Sequence, residues 1–337
     1  MVAKGFTQRP GIDYSETFSP VVKMDSLRTI LSLSAARNLD MTQLDVKTAF
    51  LYGEISEEIY LNQPEGFVTP GKEREVCKLN KCIYGLKQAS RVWNQHFNKF
   101  LQDFGLNPSA SDPCVYSYQQ GEEFTIVAIW VDDGLVCSNN KESTTRILQY
   151  LSTHFEMRFG VVDYFVGLKI TRDWNKMSVY LSQPEYINKV IHRFNMEECQ
   201  PKSLPADPNS HLMPKNKSSP EENTDGENFS YREAVGSLVY LAVTSRPDIS
   251  YAVNQVAQHS ENPNRSHWAA VKRIISYLKG TPKLGIKFDG RCSKTITGFT
   301  DADYAGDLDT RRSTTGFAFL LNSGPVSWSS RRQPCVS

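Results

Sequence analysis

The chain has 337 residues, 39% of them hydrophobic and 11% aromatic, enough to build the cores of two or three domains. Its 38 basic and 37 acidic side chains leave a net charge of +1, so the whole-molecule field neither demands nor excludes a polyanionic partner, and local charge has to decide. The opening "MVAKGFTQRP" lacks an apolar export core, no run approaches the roughly 18 apolar residues of a membrane span, and the seven scattered cysteines contain no CxxC pair; the expectation is a cytoplasmic or nuclear protein with reduced thiols, neither secreted nor membrane-bound.

In chain order, "DSLRTILSLSAAR" (25–37) carries Leu27, Ile30, Leu31 and Ser34 or Ala35 at helical spacing, with Asp25 or Ser26 placed to cap it. A short strand in "DMTQLDVKTAF" follows and ends near Asp45. The segment 86–104 repeats Ala89, Val92, Trp93, His96, Phe97, Phe100, Leu101 and Phe104 at amphipathic spacing, and Gly105 closes that helix. A hairpin is predicted with strands at 114–118 and 124–131 around Gly121, then a helix over 141–155 and a strand over 161–171. Strands alternating with helices in this way predict a two-layer α+β domain. Residues 201–229 are rich in Pro, Ser, Asn and charge, and read as a linker or long surface loop at a domain boundary. Two helices, 231–258 and 266–279, and three strand-rich segments from 285 onward complete the chain.

In "IVAIWVDDGLV" (126–136), Asp132 and Asp133 directly follow one of the most apolar runs. An Asp-Asp pair by itself fits either a solvated turn or a cation site. If Asp45 at the end of its own strand came alongside, the three carboxylates would repel one another and resist desolvation unless a cation neutralised them. Hard oxygen ligands suit Mg²⁺, and two such ions roughly 4 Å apart can activate a hydroxyl and stabilise the leaving oxygen of a phosphoryl displacement. Local charge also favours a polyanion: residues 72–99 carry a net +5, including Lys78, Lys81, Lys87 and Arg91, and residues 265–287 a net +6, including Lys272 and Arg273. Trp93, Trp268, Tyr277, Phe319 and Trp328 read as core.

The blocks "LDVKTAFLYGEI", "CIYGLKQASRVWNQHF" and "WVDDGL", in that order, closely resemble the reverse transcriptase of copia-type long-terminal-repeat retrotransposons. "VAKGFTQRPGIDYSETFSPVVKMDSLR" is similar to the segment before them, "SRPDISYAVNQVAQHSENPNRSHWAAVKRIISYLKGT" to the region leading into ribonuclease H, and "GFTDADYAGDLDTRRSTTGFAFLLNSGPVSWSSRRQP" to that domain's opening strands. The resemblance implies a right-hand polymerase with partial fingers and a palm at 1–200, a linker at 201–229, a helical thumb or connection region at 230–284, and an incomplete ribonuclease H-like α/β domain at 285–337. It implies RNA-directed DNA synthesis with two Mg²⁺ ions, or Mn²⁺ in their place, on an RNA/DNA primer-template with deoxynucleoside triphosphates. Asp45, Asp132 and Asp133 match its catalytic and metal-binding carboxylates. Phe50 matches the aromatic under the incoming sugar, Gln88 and Lys87 the nucleotide contacts, and Arg91, Lys78, Lys81, Lys272 and Arg273 the nucleic-acid contacts. Asp301 matches the first ribonuclease H carboxylate. The chain departs from the family in starting inside the basic fingers hairpin, in stopping before the later ribonuclease H carboxylates, in Trp130 where Tyr is usual, and in "MRFGVVDYFVGLKI". The expectation is therefore doubtful polymerase turnover, absent ribonuclease H cleavage, and, as the alternative, an inactive nucleic-acid-binding remnant of the transposon.

Overall fold

The computed structural model describes residues 1–208, 212–213, 230–292 and 295–336, which divide into two compact units: Met1–Ile30 with Leu39–Val162, and Leu31–Asn38 with Asp163–Ser337. The division falls at 162/163, upstream of the boundary expected at 201–229; of that segment, residues 209–211 and 214–229 lie outside the described residues.

In the first unit, helix α1 (Met24–Ala36, cut by the division after Ile30) leads into β1 (Asp40–Val46). A small two-stranded sheet follows, β2 (Tyr60–Asn62) against β3 (Val76–Lys78), and then helix α2 (Ala89–Asp103). Trp93, Phe97 and Leu101 fall on one face of α2 and are buried, as their spacing of four dictates. Gly105, at φ +100°, provides the left-handed residue that ends the helix. Next come β4 (Asn107–Pro108), β5 (Val115–Gln120), β6 (Glu123–Trp130) and β7 (Asp133–Ser138), then α3 (Lys141–His154), capped by the Asn140 side chain, which accepts from the Glu142 N–H, and β8 (Met157–Val161). The six strands form one antiparallel sheet in the order β4-β5-β6-β7-β1-β8. Its core unites Leu44, Val46, Val127, Ile129 and Val136 of the strands with Trp93, Phe97 and Leu101 of α2 and Ile147 and Leu151 of α3.

In the second unit the expected strand over 161–171 is broken. β9 (Tyr164–Phe165) and β10 (Leu168–Asp173) are joined by a turn in which Val166 and Gly167 both take positive φ, +51° and +75°, and the chain doubles back instead of running straight. β10 continues the sheet to β11 (Ser178–Ser182), which is followed by helix α4 (Pro184–Arg193). The single helix expected over 231–258 is two, α5 (Tyr231–Thr244) and α6 (Ser250–Ala257), because Pro247 cannot donate into a continuous ladder. Arg246 beside it is fully buried yet neutralised: Nε and Nη2 donate to the Asp248 carboxylate at 2.9 and 2.8 Å, and Nη1 donates to the Thr281 carbonyl at 3.0 Å. α7 (Arg265–Gly280) completes a helical core built on Leu238, Leu241, Val253, Val271, Ile274 and Ile275. β12 (Ile286–Asp289) pairs with β11, giving a sheet of order β12-β11-β10-β9, so this strand does not join those after it. β13 (Thr297–Ala302), β14 (Thr314–Leu321) and β15 (Gly324–Arg332) form a separate antiparallel sheet. Phe319, expected in the core, is exposed on β14; Trp328 is half-buried, its indole N–H donating to the Ala242 carbonyl at 2.8 Å.

All seven cysteines are free thiols. Among the described residues no helix is long and apolar enough to cross a membrane.

Candidate functional site

β6 and β7 pair with Trp130 opposite Asp133, leaving Val131 and Asp132 as a two-residue turn. Val131 takes φ +57°, an unfavourable state for a β-branched residue. The turn is held from two sides. The Trp93 indole N–H of α2 donates to the Val131 carbonyl at 2.8 Å, and the Val46 N–H of β1 donates to the Asp132 carbonyl at 3.0 Å. A strained turn pinned by a buried tryptophan presents its side chains in one orientation.

The neighbouring strand supplies the third carboxylate. β1 runs antiparallel to β7 with Asp45 directly opposite Asp133, and antiparallel to β8 with Asp45 opposite Arg158. Asp45, Asp132 and Asp133 are all half-buried. Burial, then the charge of Asp132, then that of Asp45 push the Asp133 carboxyl above the usual carboxylate range, and a hydrogen bond from Gln43 opposes them. Gln43 lies two residues before Asp45 on β1, hence on the same face of the strand. Among the described residues no three Asp, Glu, His or Cys side chains are grouped as a metal cage. Three carboxylates on adjoining strands and their turn offer hard oxygen donors of the kind that a divalent cation such as Mg²⁺ takes.

After β1 the chain enters a short 3-10 turn, Ala49–Tyr52, entered through Thr48 at φ +52°, which carries Phe50. The Phe50 ring packs on Tyr84, centroids 4.8 Å apart and planes inclined by 52°. The Tyr84 phenol is pushed above its ordinary range by burial and then by the charges of Asp132 and Asp45. Tyr84 thus packs on Phe50 while feeling the charge of the aspartates. The sequence signal for it was its place in "IYGLKQA", one residue before a glycine that holds a positive φ, +95°.

Gln88 is buried with both ends of its amide engaged: Oε1 accepts from Gln8 Nε2 and Nε2 donates to the Asp13 carbonyl, each at 3.0 Å. It faces the interior instead of open solvent. Lys87 is exposed, its Nζ 3.1 Å from the Tyr14 hydroxyl and 5.0 Å from that ring's centre. Arg91, in the first turn of α2, donates to the Phe18 carbonyl at 3.0 Å. Lys78 on β3 pairs with Glu58 at 2.5 Å, and Lys81 is exposed just beyond it. In the second unit Lys272 is exposed on α7, and Arg273 beside it pairs with Asp207 at 3.4 Å. Asp301 is exposed on β13, opposite Gly316, with its Oδ1 accepting the Ala302 N–H at 2.8 Å.

A family model described as "Reverse transcriptase (RNA-dependent DNA polymerase)" matches residues 1–208, the span that contains the three aspartates, Phe50, Tyr84 and Gln88. The chain belongs to that family. It is 45% identical over its whole length to the retrovirus-related Pol polyprotein from transposon TNT 1-94 of Nicotiana tabacum, covering 26% of that protein. It is 39% identical over its whole length to the Pol polyprotein from transposon RE1 of Arabidopsis thaliana, covering 22%. A putative transposon Ty5-1 protein of Saccharomyces cerevisiae is 31% identical over 86% of this chain and is covered to 92% of its own length. The chain is thus a reverse transcriptase region of the copia-type transposon Pol class, spanning about a quarter of the length of the two plant relatives.

Proposed function

We propose that this chain is the RNA-directed DNA polymerase module of a copia-type retrotransposon, extending a primer on an RNA or DNA template with deoxynucleoside triphosphates. The observation that carries the proposal is the β1–β7 register, which sets Asp45 against Asp133 with Asp132 in the adjoining pinned turn.

In the reaction the primer 3′-oxygen bonds to the α-phosphorus as the bond from that phosphorus to the pyrophosphate oxygen breaks, and the 3′-hydroxyl proton passes to solvent. Two Mg²⁺ ions, held by Asp45 and Asp132, would supply charge neutralisation and hydroxyl activation. Asp133, opposite Asp45, adds its carboxylate to the site's charge and holds its geometry. Phe50 lies under the sugar and disfavours a ribose 2′-hydroxyl. Lys87 meets the nucleotide phosphates, while Gln88 acts from the interior by holding the loop that carries Lys87. Arg91, Lys78 and Lys81 in the first unit, and Lys272 and Arg273 in the second, contact the primer-template backbone, where each neutralised phosphate strengthens binding through counterion release. In this assignment the six-stranded sheet with α2 and α3 is the palm with part of the fingers. Residues 201–229 lead on to the thumb or connection helices at 230–284, and the strands after β12 open a ribonuclease H-like domain that carries Asp301.

Primer extension on an RNA template with Mg²⁺ tests this directly. Extension by the native chain that Asp132→Asn abolishes supports it. Binding of primer-template without extension by either protein overturns it in favour of an inactive nucleic-acid-binding module.

A further inference from the structure

The Phe50 ring sits on a 3-10 turn of four residues, half-buried at the edge of the core. One face of that ring is packed by Tyr84. Tyr84 lies in a loop stitched to a separate stretch of chain, residues 3–14. The Ala3 N–H donates to the Tyr84 carbonyl at 2.7 Å, and Gln8 Oε1 accepts the Lys87 N–H at 2.8 Å. Gln8 Nε2 donates to Gln88, whose own amide donates to the Asp13 carbonyl. The approach is so close that a Cβ at Gly85 would fall 2.1 Å from the Ala3 carbonyl oxygen, on a residue already at φ +95°. The loop is thereby fixed at both ends of the tetrapeptide that follows Tyr84.

We propose that Tyr84 is a positioning residue for sugar discrimination: its ring braces Phe50, and the 3–14 strap, through Ala3 at Tyr84 itself and through Gln8 at Lys87 and Gln88, braces the loop that carries Tyr84. The inference rests on the polymerase reading above and assigns to Tyr84 the task of keeping Phe50 where a 2′-hydroxyl would collide with it. The ring, and not the hydroxyl, does this, so Tyr84→Phe keeps the function and Tyr84→Leu loses it. Gln8→Ala loosens the loop and has a smaller effect in the same direction.

The experiment compares native chain, Tyr84→Leu, Tyr84→Phe, Gln8→Ala, Phe50→Ala and the Phe50→Ala/Tyr84→Leu double variant in single-nucleotide extension with a deoxynucleotide and its ribonucleotide counterpart. Binding of each nucleotide to the protein on a dideoxy-terminated primer is measured in parallel, so that selection is read without chemistry. Expected is a loss of deoxy-over-ribo preference of about tenfold in Tyr84→Leu, no more than about twofold in Tyr84→Phe, and no further loss when Tyr84→Leu is added to Phe50→Ala. A preference in Tyr84→Leu within about twofold of native, or an undiminished effect in the Phe50→Ala background, overturns the inference while leaving the polymerase reading intact. A native chain that neither extends nor binds nucleotide, when its melting curve shows it folded, overturns the polymerase reading and the inference together. Should Tyr84→Leu fail to fold, the Gln8→Ala and Tyr84→Phe pair decides: a drop in preference in the first with none in the second supports the bracing role, and no drop in either overturns it.

Discussion

Two of the aspartate-bearing hairpins among the described residues treat the charge in opposite ways. In the second unit the carboxylates that are drawn inward are compensated. Asp307 is held at a pKa of about 2: burial works against its ionisation, but hydrogen bonds from Thr310 and the guanidinium of Arg332, 2.5 Å away, outweigh it. Asp301 on the adjoining strand is simply exposed. In the first unit Asp132 and Asp133 are half-buried beside Asp45, and Asp133 is driven upward by burial and by both neighbours. A fold selected for stability alone has no reason to keep such a trio; a site that binds a cation does. Compensation, more than the presence of acid, separates the two sets of aspartates.

The sharpest way to break this contrast is activity. Asp132→Asn is expected to lower primer extension by about a thousandfold or more, whereas Asp301→Asn stays within about twofold; equal losses would erase the distinction. Next in size is the support of the turn. Trp93→Ala removes a fully buried indole and the donor to Val131, and urea melts should show a loss of about 3–5 kcal/mol.

Acid should weaken the second unit. His267 is buried at the start of α7, where Nδ1 accepts the Asn264 N–H at 3.1 Å, the Asn264 side chain accepts the His267 N–H at 3.1 Å, and Nε2 donates to the Met213 carbonyl at 2.9 Å. His259 stacks on it at 3.9 Å. Burial, then the charge of His259, pull the His267 ring down to about 4 from an ordinary value of 6.5, against the Met213 hydrogen bond. The folded ring therefore binds its proton more weakly than the unfolded one. Its stabilising contribution is complete above about pH 6.5 and is lost as the pH falls toward 4. A loss on the order of 2–3 kcal/mol across that window is expected in the second unit and is flattened in His267→Gln. Trp328→Phe, which removes the donor to Ala242 and shrinks a half-buried ring, should cost about 1–2 kcal/mol in the same urea melts.

The smallest effect has the opposite sign and belongs to the first unit. The folded Asp133 carboxyl takes its proton more readily than the unfolded one, so its penalty is present at neutral pH and relieved by acidification. Without divalent cation, Asp133→Asn should raise Tm by a few degrees. Addition of Mg²⁺ should raise the Tm of the native chain and raise that of the variant less.

Much of the first unit was legible in the sequence. The spacing of Trp93, Phe97 and Leu101 predicted α2, and the apolar run before Asp132 predicted β6 and its turn. Period alone could not foresee the reversal at Val166 and Gly167, because a positive φ at a valine is imposed by pairing with β10. Nor could it see that Pro247 would separate α5 from α6 around a buried, neutralised Arg246, or that Phe319 would stay exposed on a strand whose alternation reads as core. Gln88 illustrates the same limit: its motif marks it as a contact, while a hydrogen bond accepted from Gln8 and one donated to the Asp13 carbonyl turn it inward.

Which residues carry charge and which runs must be buried was settled along the chain, since hydrophobic period and side-chain chemistry are local properties. That Asp45 faces Asp133, that Trp93 holds the Val131 turn, and that Tyr84 packs on Phe50 emerged only on folding. Those relations join segments tens of residues apart, and they are fixed by strand register and core packing, which no local pattern encodes.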